Sequence, residues 1–353
     1  MTQFDPNNLN GVIPAMITSF NKDESINKEG IRKTVNYLIS ENVDGLYITG
    51  STGETFLMSQ EEKKQAIEII VEEVNGRVPV IAHIGSIGTK ITTELGQYAE
   101  KVGVDALSAL PPFYYGFSND EIFNYYKDIS NSTNLPITVY NISHANLMDL
   151  DMLKRLSSIK NVKGVKYTAP THFNFSKIKK EIGESFKIYS GMDEMALSGL
   201  ISGADGIIGS FYNLMPELFV EIYKQVKNNQ INEAKKILAF EVTKICRGIK
   251  SANEAEDIAK NLFSIKKIDD RLPSYEIQST FLTSSKFSIL DALEKLNLSK
   301  SRSDTKRLIK SKGIKINEEI YNSNDLSLKI YANKPELKIS VGKKNIGILK
   351  IKK

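Results

Sequence analysis

The sequence predicts an α/β chain: a closed (β/α)8 TIM barrel followed by a small α+β domain. Three observations lead there. From Gly11 to about Asn229, eight short β-rich runs ending in Gly, Ser, Thr or Asn alternate with eight stretches of helical period, the pattern of parallel strands joined by crossover helices. The 353 residues, 41% of them hydrophobic, suffice for a sizeable core and are long for one domain. Beyond Pro273 the alternation gives way to two helical stretches and several alternating strand-like runs.

The eight runs are Val12–Phe20, Gly45–Gly50, Val78–Gly85, Ala106–Pro112, Pro136–Asn141, Val162–Thr168, Phe186–Gly191 and Gly206–Ser210. Helices with a spacing near 3.6 fit between and after them, at Lys28–Ser40, Gln60–Val74, Thr92–Val102, Asn119–Ser130, Asp149–Ser158, Phe175–Ile182, Asp193–Ile201 and Pro216–Lys227. Eight regular units favour closure over an open doubly wound sheet. Ile231–Lys250 continues as helix, Ser251–Asp270 is charged, and Arg271-Leu272-Pro273-Ser274 is a break. Helical spacing returns at Ser288–Leu296 and Ser303–Lys312, then strand-like runs at Ile314–Asn317, Leu326–Tyr331, Leu337–Val341 and Ile346–Ile351. The expected domains are residues 1–250, a charged linker at 251–284, and residues 285–353.

Charge is divided along the chain. From Phe281 to Lys353 there are 17 Lys and Arg against 7 Asp and Glu, whereas the remainder holds 30 against 35, so the two parts face different partners. The single cysteine, Cys246, permits no internal disulfide and no thiolate metal cluster, which fits a reducing compartment. Met1–Asn10 lacks the basic-then-apolar order of a signal peptide, and no apolar run is long enough to span a bilayer. The expectation is a cytoplasmic protein with no membrane partner.

The sixth run, Val162-Lys163-Gly164-Val165-Lys166-Tyr167-Thr168, carries the chemistry. Strand alternation places Gly164, Lys166 and Thr168 on one side and Lys163, Val165 and Tyr167 on the other. An amine held in an apolar strand loses hydration, which favours the neutral form that attacks ketones; the plain alternative is a solvated strand-end lysine. In a barrel, reacting groups sit where strands end, which is where Lys166 falls. Gly50-Ser51-Thr52-Gly53-Glu54, after the second run, is either a concavity of N–H groups and hydroxyls suited to a carboxylate or phosphate, or a simple turn. Tyr140 ends the fifth run as a proton relay or as a half-buried aromatic. Asp193 and Glu194 either accept a polyol's hydroxyls or complement a helix dipole, and Ser210 closes the eighth run. His83, His144 and His172 form no ligand pattern and are taken as structural; no metal is expected.

Together these residues resemble the N-acetylneuraminate lyase and dihydrodipicolinate synthase superfamily of class I aldolase barrels, over about Leu9 to Gly248. The resemblance implies a pyruvate-carboxylate loop at Gly50–Glu54 with Ser51 and Thr52, a catalytic tyrosine at Tyr140 and a Schiff-base lysine at Lys166. Pro112-Phe113-Tyr114-Tyr115, Lys166-Tyr167-Thr168 and Gly191-Met192-Asp193-Glu194 are similar to the sialic acid lyase branch, which assigns Thr168, Gly191, Asp193, Glu194 and Ser210 to the sugar. The synthase branch carries an arginine shortly after its Tyr-Asn pair, and Ile142-Ser143-His144-Ala145-Asn146 has none. The implied activity is cleavage of N-acetylneuraminate to N-acetylmannosamine and pyruvate with no cofactor, in a homotetramer built through the barrel. A related pyruvate-dependent aldolase, dihydrodipicolinate synthase included, is the alternative. The family's further helices are not read after Gly248, so a barrel lacking them, and inert for that reason, is a second alternative.

Lys300, Arg302, Lys306, Arg307, Lys310 and Lys312 crowd one loop and helix, either a phosphate-binding surface or a solvated helix face. Leu293–Leu298, Ser299-Lys300-Ser301-Arg302, Arg307-Leu308-Ile309-Lys310 and Gly313–Asn317, with Gly342-Lys343-Lys344-Asn345, resemble the small RNA-binding domain that closes bacterial tyrosyl-tRNA synthetases. That implies RNA as a partner, through Lys300, Arg302, Lys306, Arg307 and Lys310. The nucleotide-binding domain of those enzymes has no counterpart here, so the chain reads as a fusion with its seam near Gly248–Asn253.

Overall fold

The computed structural model describes residues 9–145, 147–260, 272–284, 287–322, 326–342 and 345–352. Asn146, Arg271 and Lys343-Lys344, named above, lie outside them. The chain divides into two compact units, Met1–Ala239 and Phe240–Lys353, against the boundary at 250 expected from sequence.

In the first unit eight parallel strands follow one another round a ring: β1 (Gly11–Pro14), β2 (Leu46–Ile48), β3 (Val80–His83), β4 (Ala106–Ala109), β5 (Ile137–Ile142), β6 (Val162–Thr168), β7 (Lys187–Ser190) and β8 (Gly206–Gly209). β1 pairs with β8 from Gly11–Gly206 to Pro14–Gly209, and a parallel bridge between Ala15 and Tyr47 joins β1 to β2, which closes the barrel. Helices α1 (Lys28–Ser40), α2 (Gln60–Val74), α3 (Thr89–Val102), α4 (Asn119–Ser132), α5 (Leu150–Ser157), α6 (Asn174–Ile182), α7 (Ala196–Ile201) and α8 (Pro216–Lys227) follow the strands in turn. Local chemistry starts them: Ser59 and Ser118 make reciprocal capping boxes with Glu62 and Glu121, and Asn27 and Asp149 accept N–H bonds from Gly30 and Met152.

Two apolar layers result from strand alternation. Leu9, Ile13, Tyr47, Ile81, Ala106, Tyr189 and Ile208 fill the lumen, while outward residues such as Val12, Ile48, Val139, Val165 and Ile188 pack under the helices. At the N-terminal end of the strands a device recurs. Asp44, Asp105 and Asp205 each precede an even-numbered strand, and each carboxylate accepts the N–H of the preceding odd strand: Val12 at 2.8 Å, Val80 at 2.8 Å and Ile188 at 2.8 Å. Asn161, before β6, does the same work through its main-chain oxygen, which accepts from Ile137 N–H, and through its amide, which donates to Ser130 and Thr133.

Helix α9 (Ile231–Ala259) runs past Gly248, where φ of 82° interrupts the helical backbone. Helix therefore occupies the beginning of the stretch that sequence assigned to a linker. Further along, β9 (Ser274–Gln278) is the edge strand of a mixed five-stranded sheet, in the order β11 (Glu319–Ile320), β10 (Ile314–Ile316), β12 (Glu336–Val341), β13 (Asn345–Lys352), β9. It pairs parallel to β13, the rest being antiparallel. Helices α10 (Ser279–Thr283), α11 (Ile289–Lys295) and α12 (Arg302–Lys310) complete the unit, and Leu282, Ile289, Leu293, Ile314, Leu337 and Leu349 lie in its core. The strand expected at Leu326–Tyr331 is not one. Ser327 makes a single bridge to Ser288, and Lys329–Tyr331 is a 3-10 turn: Leu328 is fully buried and Leu326 and Tyr331 pack partly against the core, but Ile330, which strand alternation would put on the same face as Leu328, is exposed.

Candidate active site

Val165 and Tyr167 point outward from β6 into the apolar layer, and Lys166 points into the lumen, 5% exposed. Its Nζ lies 4.2 Å from the centre of the Tyr140 ring and 4.3 Å from that of Tyr47. Tyr140 is its register neighbour on β5, whereas Tyr47 comes from β2, halfway round the ring, so that contact crosses the lumen. The amine is thus enclosed by aromatic faces, which tolerate it charged and still exclude bulk water. Tyr47 donates to Ser108 Oγ at 3.1 Å, and burial, followed by the neighbouring Tyr140, holds its phenol well above the usual range.

His83, at the end of β3, completes this wall, its ring 6.0 Å from Tyr140 and 6.2 Å from Tyr47. Nδ1 donates to the Thr49 carbonyl at 3.2 Å and Nε2 accepts the Leu110 N–H at 3.4 Å, partners that assign the neutral Nδ1–H tautomer. Burial first, then the charges of Lys166 and Lys63, push its pKa down to about 3. Thr49 returns a bond from Oγ1 to the His83 carbonyl at 2.8 Å, and its backbone is left-handed, at φ of 52°. A β-branched residue rarely adopts that conformation, and here it turns the chain from β2 into Gly50–Glu54.

Ser51–Gly53 forms a 3-10 turn. Thr52 Oγ1 and Ser210 Oγ lie 2.7 Å apart, joining the loops after β2 and β8 at the mouth. Ser51 is exposed at the rim, as is Glu194. At the ends of β6 and β7, the Gly191 N–H donates to the Tyr167 carbonyl at 2.9 Å, and a Cβ on Gly191 would stand 2.0 Å from Thr168 Oγ1 and 3.4 Å from Lys166 Cε. Only glycine fits there. Thr168 Oγ1 is buried without a hydrogen-bond partner among the described residues, so it has bonding capacity to offer beside the lysine. Asp193 Oδ1 accepts the Phe211 N–H at 3.0 Å, and burial raises its pKa against the opposing pull of Lys166.

Lys166, Tyr140, Thr168 and Gly191 therefore share one end of the barrel with the Thr52–Ser210 pair, an arrangement able to hold a small anion beside a sheltered amine. Sequence reasoning passed over Tyr47, Thr49, Ser108 and the strut role of His83. Tyr47 and His83 were detectable, since both fall on the lumen-facing parity of apolar strands, Tyr47 in the middle of β2 and His83 at the end of β3. Among the described residues no group of three or more His, Cys, Asp or Glu is arranged to hold a metal ion, and no helix is long and apolar enough to cross a membrane.

Residues 8–267 match the dihydrodipicolinate synthetase family. The chain belongs to that family. The family match continues past Gly248, where the sequence resemblance was read to stop. Among family members it is 38% identical over 233 residues to N-acetylneuraminate lyase of Escherichia coli strain SMS-3-5, covering 65% of this chain and 78% of that one. It is similar in structure to CdNal from Clostridium difficile in complex with mannosamine, at 35% identity and a TM-score of 0.65 over 67% of this chain and 83% of that one. N-acetylneuraminate lyase from Mycoplasma synoviae gives 32% identity and a TM-score of 0.62, covering 76% and 92%. This dihydrodipicolinate synthetase family member is accordingly an aldolase-type lyase by kinship.

In the second unit Lys300 lies exposed on the α11–α12 loop, and Arg302, Lys306, Arg307 and Lys310 lie exposed on α12. Arg302 pairs with Asp291 at 2.5 Å and Glu294 at 3.8 Å, and Arg307 with Asp304 at 2.7 Å. Lys300 and Arg307 line a cleft of about 430 Å³ with Asn297, Ser299, Asp304 and Asn345.

Proposed function

We propose that the barrel is a Schiff-base lyase that cleaves N-acetylneuraminate to N-acetylmannosamine and pyruvate. The observation that carries this reading is the sheltered Lys166 amine between Tyr140 and Tyr47, on the same barrel end as the paired hydroxyls of Thr52 and Ser210. The amine attacks the keto carbon of the open-chain sugar acid and water leaves, giving an iminium on Lys166. Ser51 and Thr52 hold the carboxylate. Tyr140, helped by that carboxylate, takes the proton from the C4 hydroxyl; the C3–C4 bond breaks, the aldehyde carbonyl forms, and the bonding pair passes into the iminium as an enamine. Protonation at C3 and addition of water release pyruvate and restore the amine. Thr168, Gly191, Asp193, Glu194 and Ser210 receive the sugar portion, and the active form is a homotetramer built through the barrel. No cofactor takes part in these steps.

Incubation with pyruvate and borohydride tests this: a stable adduct on Lys166, located by peptide mass spectrometry, is expected, and an unmodified lysine in folded protein overturns it. Comparing cleavage of N-acetylneuraminate with condensation of pyruvate and short aldehydes separates the lyase from other pyruvate-dependent aldolases, dihydrodipicolinate synthase among them.

For the second unit the reading is RNA binding in the cytoplasm. The cleft edged by Lys300 and Arg307 supports it, with Lys306 and Lys310 exposed beside it on α12. Exposed pairs such as Arg307–Asp304 hold little energy, so phosphates can displace their carboxylates. Binding of tRNA or another structured RNA should weaken steeply with salt and fall when Lys306 and Lys310 are neutralised; indifference to salt counts against it.

A further inference from the structure

The paired hydroxyls of Thr52 and Ser210 belong to loops 158 residues apart in sequence, and something must hold those loops in register. Both rest on one short segment, Ala15–Thr18, at the seam where the barrel closes. Ala15 N–H donates to the Gly209 carbonyl at 2.8 Å and Met16 N–H to the Tyr47 carbonyl at 2.8 Å, so the segment is bonded to β8 on one side and β2 on the other.

Two side chains extend this seam upward to the hydroxyls. On the β8 side, Asn213 is buried, and its amide donates to the carbonyls of Ala15 at 2.7 Å and Ser210 at 2.8 Å while its oxygen accepts the Ile17 N–H at 3.2 Å. On the β2 side, Thr18 Oγ1 donates to the Gly53 carbonyl at 2.8 Å. Gly53 sits hard against the seam, since a Cβ there would lie 2.9 Å from Thr18 Oγ1 and 3.0 Å from the Met16 carbonyl. Asn213 thus fixes the height of Ser210, and Thr18 that of Thr52, from one common strip of backbone.

We propose that Thr18 and Asn213 are positioning residues that set the Thr52–Ser210 contact and thereby the affinity for the keto-acid carboxylate. This rests on the Schiff-base reading above. Neither residue reaches the amine, so their loss acts on binding of the acid rather than on the reactivity of Lys166.

The experiment measures borohydride-trapped adduct on Lys166 against pyruvate concentration, in the parent, Thr18→Val and Thr18→Ser. Thr18→Val keeps the shape and deletes the donor; the half-saturating concentration should rise roughly three- to tenfold, one hydrogen bond's worth, with the plateau yield unchanged. Thr18→Ser keeps the hydroxyl and should return the half-saturation to within about twofold of the parent. A Thr18→Val protein that titrates like the parent overturns the proposal, as does one whose plateau falls while its half-saturation stays fixed. If Thr18→Val loses its cooperative melt, Asn213→Ser takes its place under the same criteria. A parent protein that forms no adduct at all overturns the Schiff-base reading, and this inference with it, whereas a reactive parent with an insensitive variant overturns this inference alone.

Discussion

Thr49 and His83 hold each other by two reciprocal hydrogen bonds, Oγ1 to carbonyl at 2.8 Å and Nδ1 to carbonyl at 3.2 Å. His83 ends β3 and Thr49 directly follows β2, and the pair keeps a left-handed threonine in place directly before the hydroxyl loop. The strain and the bonds that hold it can be separated. Thr49→Val retains the branched Cβ and loses the donor, so it should destabilise by about 1–2 kcal/mol. Thr49→Gly loses the same donor but relieves a left-handed conformation that costs roughly 1–2 kcal/mol, and should unfold at a higher urea concentration than Thr49→Val. The reverse order of midpoints would mean that Thr49 carries no strain.

His83 gives a pH dependence whose sign follows from its environment. In the folded chain it stays neutral down to about pH 3, while in the unfolded chain it takes up a proton near its ordinary value of 6.5. Between those limits the unfolded state binds more protons, so this contribution is complete above about pH 6.5 and is lost as pH falls toward 3. Denaturant titrations at pH 7 and pH 4 should show the parent losing roughly 3 kcal/mol more than His83→Gln over that interval. Parallel losses in the two proteins would assign the acid sensitivity elsewhere.

At the other end of the barrel Asp105 behaves oppositely. Burial raises its pKa above the ordinary 3.8, so the folded state binds the extra proton and stability declines as pH rises through that window, then stays level. Asp105→Asn keeps an oxygen for Val80 N–H without the buried charge and should equal or exceed the parent at pH 7. Asp105→Ala leaves that N–H unpaired and should lose about 1–3 kcal/mol by the same urea assay.

Tyr140 and Lys166 divide the proposed chemistry between them. Tyr140→Phe should still form the pyruvate adduct, since the lysine and hydroxyl loop are intact, yet cleave N-acetylneuraminate roughly 10²- to 10⁴-fold more slowly. Lys166→Ala should do neither. Unimpaired cleavage by Tyr140→Phe would move the proton-transfer role to another group.

The eight units were legible because each strand and helix writes its own periodicity: α1 at Lys28–Ser40 and β6 at Val162–Thr168 coincide with the spans read from sequence. Lys166 could be given a face for the same reason. The seam could not be read, since Thr18 and Asn213 meet only through closure of the ring, and neither polar residue differs locally from a loop residue. β9 escaped notice because Pro273 marks a break and Ile277 alone of its five residues is buried. Leu326–Tyr331 showed the converse, an alternating run whose single buried leucine does not suffice to recruit a partner strand.

The acidic and amide residues ahead of the even strands have a consequence for how the ring could be opened. Beyond the main-chain ladder that runs all round the ring, each adds a tie between a strand and the one immediately before it, by a carboxylate at Asp44, Asp105 and Asp205 and by the Asn161 main-chain oxygen. The added ties group the floor into four two-strand staves: β1 with β2, β3 with β4, β5 with β6, β7 with β8. A circular permutant with new ends at Asn75-Gly76 would break between staves and leave every tie local in sequence. One opened within a stave, at Glu41-Asn42, would have to recover the Asp44 bond to Val12 across the whole length of the rearranged barrel, and should fold more slowly for the same final contacts.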